Sequence, residues 1–183
     1  RQMCIRDSSN SAGIIRMPEA NLNLVRAGIT IYGIYPSDEV ERDIVKLKPA
    51  MELKSHVAYV KDLPAGTAIS YGGTFASEND LRVATIPVGY ADGYARGLSN
   101  KGYVLIHGKK APICGRVCMD QFMVAIQSNP AHEIPEAEYG DEMIIVGRDG
   151  DAEITMDEMA RLRGTINYEV ACGFGMRLDK VYV

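Results

Sequence analysis

The sequence lacks the features that mark several large classes of protein. No apolar run among its 183 residues reaches the length of about 18 that a membrane-spanning helix requires, and no charged and apolar secretory signal opens the chain. Basic residues are not in excess, because 20 Lys and Arg stand against 24 Asp and Glu. We therefore expect neither a membrane nor a nucleic acid as a partner.

Cysteine is also scarce, with four residues at positions 4, 114, 118 and 172. They contain no C-x-x-C pair, and Cys114 and Cys118 have no second pair with which to complete a zinc site. Disulfide frameworks are typical of small, cysteine-rich secreted chains. The cysteines therefore predict free thiols in a cytoplasmic protein and indicate no metal site.

The sequence does contain enough apolar residues for a folded core. They make up 46% of the chain against 24% charged residues, which excludes intrinsic disorder. The length allows one domain, or one domain with part of another. Residues 1–9 show no helical or strand period, which leaves open whether they are native. A polar stretch over 36–48 predicts a connection between domains.

Two patterns lie on either side of this stretch. Before it, turn-forming residues at 10–13 precede apolar groups that predict a strand, a short helix and a second strand. After it, apolar and polar residues alternate over 51–59, and further strand-like runs follow between turns. Thr155 and Glu158 form a capping-box pattern before a helix that Gly164 ends. The chain is therefore predicted to be a β-rich domain preceded by a piece of α/β structure.

Several short motifs are too particular for a generic β domain. They are Asn-Ser-Ala at 10–12, Arg-Ala-Gly-Ile at 26–29, Ser-Tyr-Gly at 70–72, Gly-Tyr-Ala-Asp-Gly-Tyr at 89–94, Gly-Arg-Val-Cys-Met-Asp-Gln at 115–121 and Gly-Thr-Ile-Asn-Tyr-Glu at 164–169. In this order the motifs resemble those of the alanine racemases, a family of pyridoxal-phosphate enzymes. The resemblance runs from about residue 10 to the C-terminus.

The resemblance implies a (β/α)8 barrel followed by a β-rich C-terminal domain. On that pattern residues 1–42 are the tail of the barrel and residues 43–183 the C-terminal domain. The expected fold class is a mainly β C-terminal domain preceded by the last segments of a (β/α)8 barrel. The family's Lys-Ala-Asn-Ala-Tyr-Gly signature, whose lysine forms the Schiff base, is absent from these residues. We therefore expect the C-terminal half of the enzyme, inactive by itself.

The chemistry of racemisation explains one of the matched residues. The α-proton must leave one face of the amino acid, and a proton must return to the other face. In the family the two bases are a lysine and a tyrosine, and Tyr71 matches the tyrosine. Because an ordinary tyrosine has a pKa of about 10, we expect a cationic neighbour that favours the phenolate. Without the resemblance, the preferred interpretation of Tyr71 is a strand-end aromatic packed on the core.

The resemblance also implies a site for pyridoxal 5'-phosphate. Arg26 matches the arginine that contacts the pyridine nitrogen, to which a guanidinium cannot give a full proton. Ser11, Gly28 and Ile29 match the residues that bind the cofactor phosphate through a hydroxyl and backbone N–H groups. Tyr168 matches a tyrosine that reaches the same phosphate. Taken singly, Arg26 is more commonly a surface ion-pair residue, and Tyr168 can also be interpreted as a buried helix aromatic.

The remaining matched residues belong to the substrate side of the family's site. The Met119 N–H is expected to bind the substrate carboxylate, Asp120 to position its neighbours, and Tyr90 to lie near the entrance. A strand methionine, a turn aspartate and a loop tyrosine are the structural alternatives. In the family the site lies between two subunits arranged head to tail. Tyr71, Tyr90, Met119 and Asp120 are thus expected to reach into the partner's site, in a homodimer with shared active sites.

The expected function is that of an alanine racemase fragment. The full enzyme interconverts L-alanine and D-alanine and supplies D-alanine for peptidoglycan. One alternative is a related barrel enzyme with the same cofactor and another amino-acid specificity, such as a racemase or a basic amino-acid decarboxylase. Tyr71 and the pair at 119–120 argue against the decarboxylase. The other alternative is a non-catalytic β module used for oligomerisation, which the missing lysine leaves open.

Overall fold

The computed structural model of the chain describes residues 9–127, 134 and 136–183. Cys4 and His132 lie outside the described residues, as does most of the segment 1–9 whose origin the sequence leaves open. The chain forms two compact units, Arg1–Met51 and Glu52–Val183. The structural division therefore comes after the polar stretch at 36–48, and the boundary expected between residues 42 and 43 falls within the first unit.

The first unit is built from short helical turns. Helix α1 (Ser11–Arg16) begins at Asn10, whose side chain accepts a hydrogen bond from the Gly13 N–H at 3.0 Å. Turns of 3₁₀ helix follow at Pro18–Ala20 and Ile29–Tyr32. The prediction of a turn and then a strand from residue 10 onwards is wrong, because Asn10 caps a helix. From residue 9 to residue 51, the extended pairing that the structure describes is a parallel bridge between Ser9 and Val25.

Antiparallel strands form three sheets in the described part of the second unit. Their bounds are β1 (Leu53–His56), β2 (Tyr59–Leu63), β3 (Ala68–Ile69), β4 (Phe75–Ala76), β5 (Leu81–Ile86), β6 (Tyr103–Ile106), β7 (Lys109–Pro112), β8 (Phe122–Gln127), β9 (Glu142–Asp149) and β10 (Ala152–Ile154). One sheet has the order β1-β9-β6-β7, with β10 also paired to β9. The second has the order β2-β5-β8, and the third pairs β3 with β4. The prediction of a mainly β domain is confirmed.

The strands bury the apolar runs that the sequence shows. Strand β1 alternates between half-buried and exposed residues, as its period of two predicts. Strand β6 is buried at three of its four residues and β9 at four consecutive residues of its eight, which is expected of central strands covered on both faces. The ring of Tyr94 stacks on Phe122 with 4.8 Å between centroids. The buried core includes one cluster of Ile69, Leu81, Val83, Cys114 and Ala125 and a second cluster of Leu105, Ile144 and Ile154.

Two helices close the chain. Helix α2 (Met156–Arg163) begins at Thr155, whose hydroxyl accepts a hydrogen bond from the Glu158 N–H at 3.1 Å, and it ends at Gly164 with φ of 73°. Helix α3 (Asn167–Gly173) follows directly. Both helices agree with the prediction from sequence. No helix within the described ranges has the length and apolar character needed to cross a membrane.

We expect the two cysteines at 114 and 172 to differ strongly in reactivity. Cys114 is packed in an apolar cluster with Leu81 and Ala125, and burial raises the pKa of its thiol to about 12, whereas Cys172 is exposed. Because the thiolate is the nucleophile, iodoacetamide at about pH 8 should alkylate Cys172 about 100-fold faster than Cys114. Peptide mapping by mass spectrometry gives both rates. The difference should vanish in denaturant, and equal rates in the folded chain would contradict the burial of Cys114.

Candidate active site

In the first unit, a buried hydroxyl gathers hydrogen-bond donors from a neighbouring turn. The Ser11 side chain is 3% exposed. Its Oγ accepts a hydrogen bond from the Gly28 N–H at 3.1 Å, and the Thr30 Oγ1 lies at the same distance. The Thr30 backbone nitrogen is 3.5 Å from this oxygen. Two hydroxyls and two N–H groups therefore share one small volume.

Ile29 and Arg26 belong to the same part of the unit. Ile29 is buried and begins the 3₁₀ turn, with Gly28 preceding it as the cap. The first N–H groups of a helical turn have no partner within the turn and point toward its N-terminal end. Arg26 donates its backbone N–H to the Ser9 carbonyl at 2.8 Å, beside the start of α1. The structure thus brings Ser11, Gly28 and Ile29 together, and it holds the backbone of Arg26 against that of Ser9, two residues before Ser11.

The chemistry of this donor set suits a phosphate group. The first turn after Gly28 contains no acidic residue. Backbone N–H groups and hydroxyls at a turn are the donors that phosphate oxygens accept from in proteins. Thr30 contributes to this set although the sequence analysis did not single it out. Its position two residues after a glycine in a turn was the signal that could have identified it.

In the second unit, Tyr71 stands at the tip of the β3–β4 hairpin. Its side chain is 76% exposed. The next two residues, Gly72 and Gly73, have φ of 74° and 54°, which turns the chain back sharply. The Arg116 guanidinium lies against this turn, because a Cβ placed on Gly72 would be 3.6 Å from its Cζ. The structure therefore places the cationic Arg116 side chain against Gly72, the residue that follows Tyr71.

Tyr90 and Met119 are brought side by side by a pair of backbone hydrogen bonds. The Tyr90 N–H donates to the Cys118 carbonyl and the Ala91 N–H to the Met119 carbonyl, each at 3.0 Å. The Cys118 N–H in turn donates to the Gln121 carbonyl at 2.8 Å, which closes a tight turn. Both predicted substrate residues keep exposed side chains. They are therefore presented on one loop pair, in which residues 89–93 lie against residues 115–121.

Asp120 is tied to the C-terminal segment by an arginine that the sequence analysis missed. The Arg177 Nη2 donates to Asp120 Oδ1 at 2.8 Å, and its Nε lies 3.4 Å from Asp92 Oδ1. The hydrogen bond to Asp120 and the charge of Asp92 raise the pKa of the guanidinium. Asp92 is buried and also accepts from the Gly89 N–H at 2.9 Å. Arg177 thus connects both loops, although its separation of 57 residues from Asp120 leaves no sequence signal.

Tyr168 lies in the second unit, on the first turn of α3. Its side chain is half-buried, and desolvation raises the pKa of the phenol. The four other residues assigned to the cofactor lie in the first unit. The role of Tyr168 at a phosphate stays a prediction.

Comparison with known proteins identifies the class to which this arrangement belongs. The second unit is a mainly β domain, and the family profile described as "Alanine racemase, C-terminal domain" matches residues 50–182. The chain belongs to the alanine racemase family. It is 48% identical over 178 residues to alanine racemase from Carboxydothermus hydrogenoformans, and 45% identical over 179 residues to alanine racemase 1 from Clostridium acetobutylicum.

Solved structures show the same relationship. Alanine racemase from Clostridium difficile 630 matches 96% of this chain with a TM-score of 0.86 and 44% identity. The Bacillus anthracis enzyme, solved with bound L-Ala-P, matches 93% with a TM-score of 0.85 and 38% identity.

The matches also bear on extent and on the alternative functions. The match to the C. hydrogenoformans relative includes 97% of this chain but only 47% of that relative. The match to the C. difficile structure includes 44% of that chain. The chain therefore spans about half of the relatives it matches. These relatives are all called alanine racemases, so neither another barrel enzyme nor a non-catalytic module is favoured.

Proposed function

We propose that this chain forms part of an alanine racemase, a pyridoxal-phosphate enzyme that interconverts L-alanine and D-alanine. The observation that carries the proposal is the arrangement at one end of the second unit. There an exposed tyrosine, Tyr71, stands beside the loop of residues 115–121, which also presents Met119 and Asp120. Tyr71 is the base on one face of the substrate, and a lysine from outside this sequence is the base on the other face.

The donor set of the first unit would hold the cofactor. Ser11, Gly28 and Ile29 would bind its phosphate, consistent with the hydroxyl and N–H groups found together there. Pyridoxal phosphate supplies the electron sink that makes the α-proton removable. Arg26 would donate a hydrogen bond to the pyridine nitrogen and keep its own proton, because a guanidinium has a pKa above about 12. Tyr168 would add a hydroxyl to the phosphate.

The loops of the second unit would bind the amino acid. The Met119 N–H would donate to the substrate carboxylate, and Tyr90 would line the entrance. Asp120 would hold its loop in place through Arg177, to which it is hydrogen-bonded at 2.8 Å. An ion pair that connects two chain segments keeps the carboxylate-binding N–H oriented before the substrate arrives.

We further propose a head-to-tail homodimer in the cytoplasm with shared sites, which makes D-alanine available for peptidoglycan. Ser11, Arg26, Gly28, Ile29 and Tyr168 would serve the cofactor of their own subunit. Tyr71, Tyr90, Met119 and Asp120 would enter the partner's site. These 183 residues by themselves are accordingly expected not to racemise alanine.

The proposal is tested in an enzyme that joins this chain to the rest of the C. hydrogenoformans relative, called here the completed enzyme. We expect it to interconvert the two alanines, and the 183-residue chain to show no turnover with added cofactor. Mixing Tyr71→Phe and Arg26→Ala subunits should restore about a quarter of the activity, because half of the dimers then contain one unaltered site. No turnover by the completed enzyme would contradict the racemase, and no restoration would contradict the shared site.

We expect Ser11→Ala to weaken cofactor binding in the completed enzyme. The change removes the hydroxyl that lies among the donors of Gly28 and Thr30. Losing one hydrogen bond to a charged group corresponds to about 1.5–3 kcal/mol, or a dissociation constant raised by about 10–100-fold. Titration of the apoenzyme with pyridoxal phosphate measures this constant. Ser77→Ala is the control, since Ser77 lies in the second unit and its hydroxyl accepts only from the Asn79 N–H among the described residues.

A further inference from the structure

The residue before Tyr71 has a backbone conformation that its type rarely adopts. Ser70 has φ of 64° and ψ of 179°. This region is essentially reserved for glycine, because a Cβ collides there with the neighbouring backbone. Such a conformation persists only where the surrounding structure imposes it, and it is found most often at active sites and ligand clamps.

Hydrogen bonds from the loop of residues 115–121 impose the conformation of Ser70. The Ser70 Oγ donates to the Arg116 carbonyl at 2.8 Å and lies 3.3 Å from the Cys118 Sγ. The Gly73 N–H donates to the Ser70 carbonyl at 3.2 Å, which closes the turn around Tyr71. Gly115 leaves the room that this packing needs, since a Cβ there would be 2.8 Å from the Ser70 Cβ.

Among the described residues, the side chain of Tyr71 makes no hydrogen bond, ion pair or ring contact that would support it in a comparable way. It is 76% exposed, so packing does not orient the ring. The direction in which Tyr71 leaves the turn is therefore set by the backbone conformation of Ser70. The same Ser70 hydroxyl faces Cys118, the residue before Met119, so one side chain connects the segments that carry the tyrosine and the substrate-binding N–H.

We propose that Ser70 is a positioning residue, whose hydroxyl holds the strained backbone that directs Tyr71 toward the substrate. The proton transfer by Tyr71 rests on the proposed function. The conformation of Ser70 rests on the described contacts alone. Without the hydroxyl, an alanine at this position would relax into an ordinary conformation and turn Tyr71 away. A glycine would keep the backbone region at little cost but lose the hydrogen bonds.

The test compares Ser70→Ala and Ser70→Gly in the completed enzyme. Exchange of the α-proton with D2O is followed separately for L-alanine and D-alanine by NMR. With Ser70→Ala we expect exchange on the tyrosine face to fall by about 10–100-fold, as a displacement of about 1 Å does in other sites. Exchange on the lysine face should change little, and Ser70→Gly should lie between Ser70→Ala and the parent. If Ser70→Ala does not fold, Ser70→Gly carries the test. Ser77→Ala is the control, because its half-buried serine lies in the same turn-rich region without contact to residues 115–121 among the described contacts.

A second measurement reports the conformation without turnover. The completed enzyme, to which this chain contributes 10 tyrosines, is labelled with 3-fluorotyrosine. The signal of Tyr71 is the one that is lost in Tyr71→Phe. We expect Ser70→Ala to shift or split this signal and Ser77→Ala to leave it unchanged. If Ser70→Ala leaves both exchange rates unchanged, or lowers both by the same factor, the inference is overturned whatever the spectrum shows. If the parent exchanges neither enantiomer, the proposed function has failed, and the fluorine signal alone decides whether Ser70 holds Tyr71.

Discussion

Replacing Tyr71 by phenylalanine in the completed enzyme is expected to slow racemisation strongly while one enantiomer still exchanges its α-proton. General acid–base catalysis contributes about 10²–10⁴-fold, so racemisation should fall by a factor in that range. The other base is unaltered, and exchange on its face should stay within about twofold. The Tyr71 side chain is 76% exposed, so removing its hydroxyl leaves no unpaired polar group in the core. The loss should therefore be chemical rather than a loss of stability.

The measurement is the disappearance of the α-proton signal of L-alanine and of D-alanine in D2O. Tyr139→Phe is the matched control, because Tyr139 lies in the same unit and is also 76% exposed. It should leave both exchange rates and racemisation unchanged. An equal loss of exchange from the two enantiomers in Tyr71→Phe would contradict the assignment of two bases.

The elements that local pattern specifies were predicted well from sequence. The helix after Thr155 is one of them, because a cap and a terminal Gly164 are local signals that do not depend on the rest of the chain. Even there the sequence is incomplete as a guide. A reciprocal capping box would direct the Glu158 side chain to the cap, but its carboxylate accepts from the Tyr103 hydroxyl on β6 instead. Tertiary contacts thus reassign a side chain whose backbone position was predicted correctly.

The first unit shows where local pattern misleads. Residues 10–17 contain turn formers and then β-branched residues, which favour a turn and a strand. The structure instead has a helix of 6 residues, capped by Asn10. A helix shorter than two full turns offers too few residues for a helical period to be recognised. Asn10 favours a turn and a helix cap equally, so its side chain could not decide between them.

The candidate site divides in the same way. Tyr71, Tyr90, Met119 and Asp120 were predicted because they lie within recognisable motifs, and the structure brings the segments around residues 89–93 and 115–121 into contact. Arg177 was not predicted, because its partners are set by the fold and not by spacing along the chain. The strain at Ser70 likewise cannot be predicted from residue type, since serine carries no preference for its φ of 64°.

Replacing Gly89 by alanine is expected to separate the two loops on which the substrate residues lie. A Cβ on Gly89 would be 2.1 Å from the Met119 carbonyl oxygen and 2.4 Å from that of Cys118. These are backbone atoms, so no side-chain rotation can relieve the collision. The hydrogen bonds that Tyr90 and Ala91 donate to the same two carbonyls must lengthen or break. Inserting a methyl group into a packed site of this kind costs about 3 kcal/mol, so the free energy of unfolding should fall by that amount.

Unfolding of the 183-residue chain in urea measures this change, and Gly97→Ala is the control. Gly97 also lies in the second unit, in a turn of 3₁₀ helix at Arg96–Leu98, but a Cβ there would meet no atom within 4 Å, and its change should stay within about 0.5 kcal/mol. In the completed enzyme, Gly89→Ala should raise the KM for alanine more than it lowers kcat. The reason is that the displaced loop carries the Met119 N–H, which we propose binds the carboxylate in both the ground state and the transition state. A destabilisation no greater than that of Gly97→Ala would show that the two loops are not in the contact described.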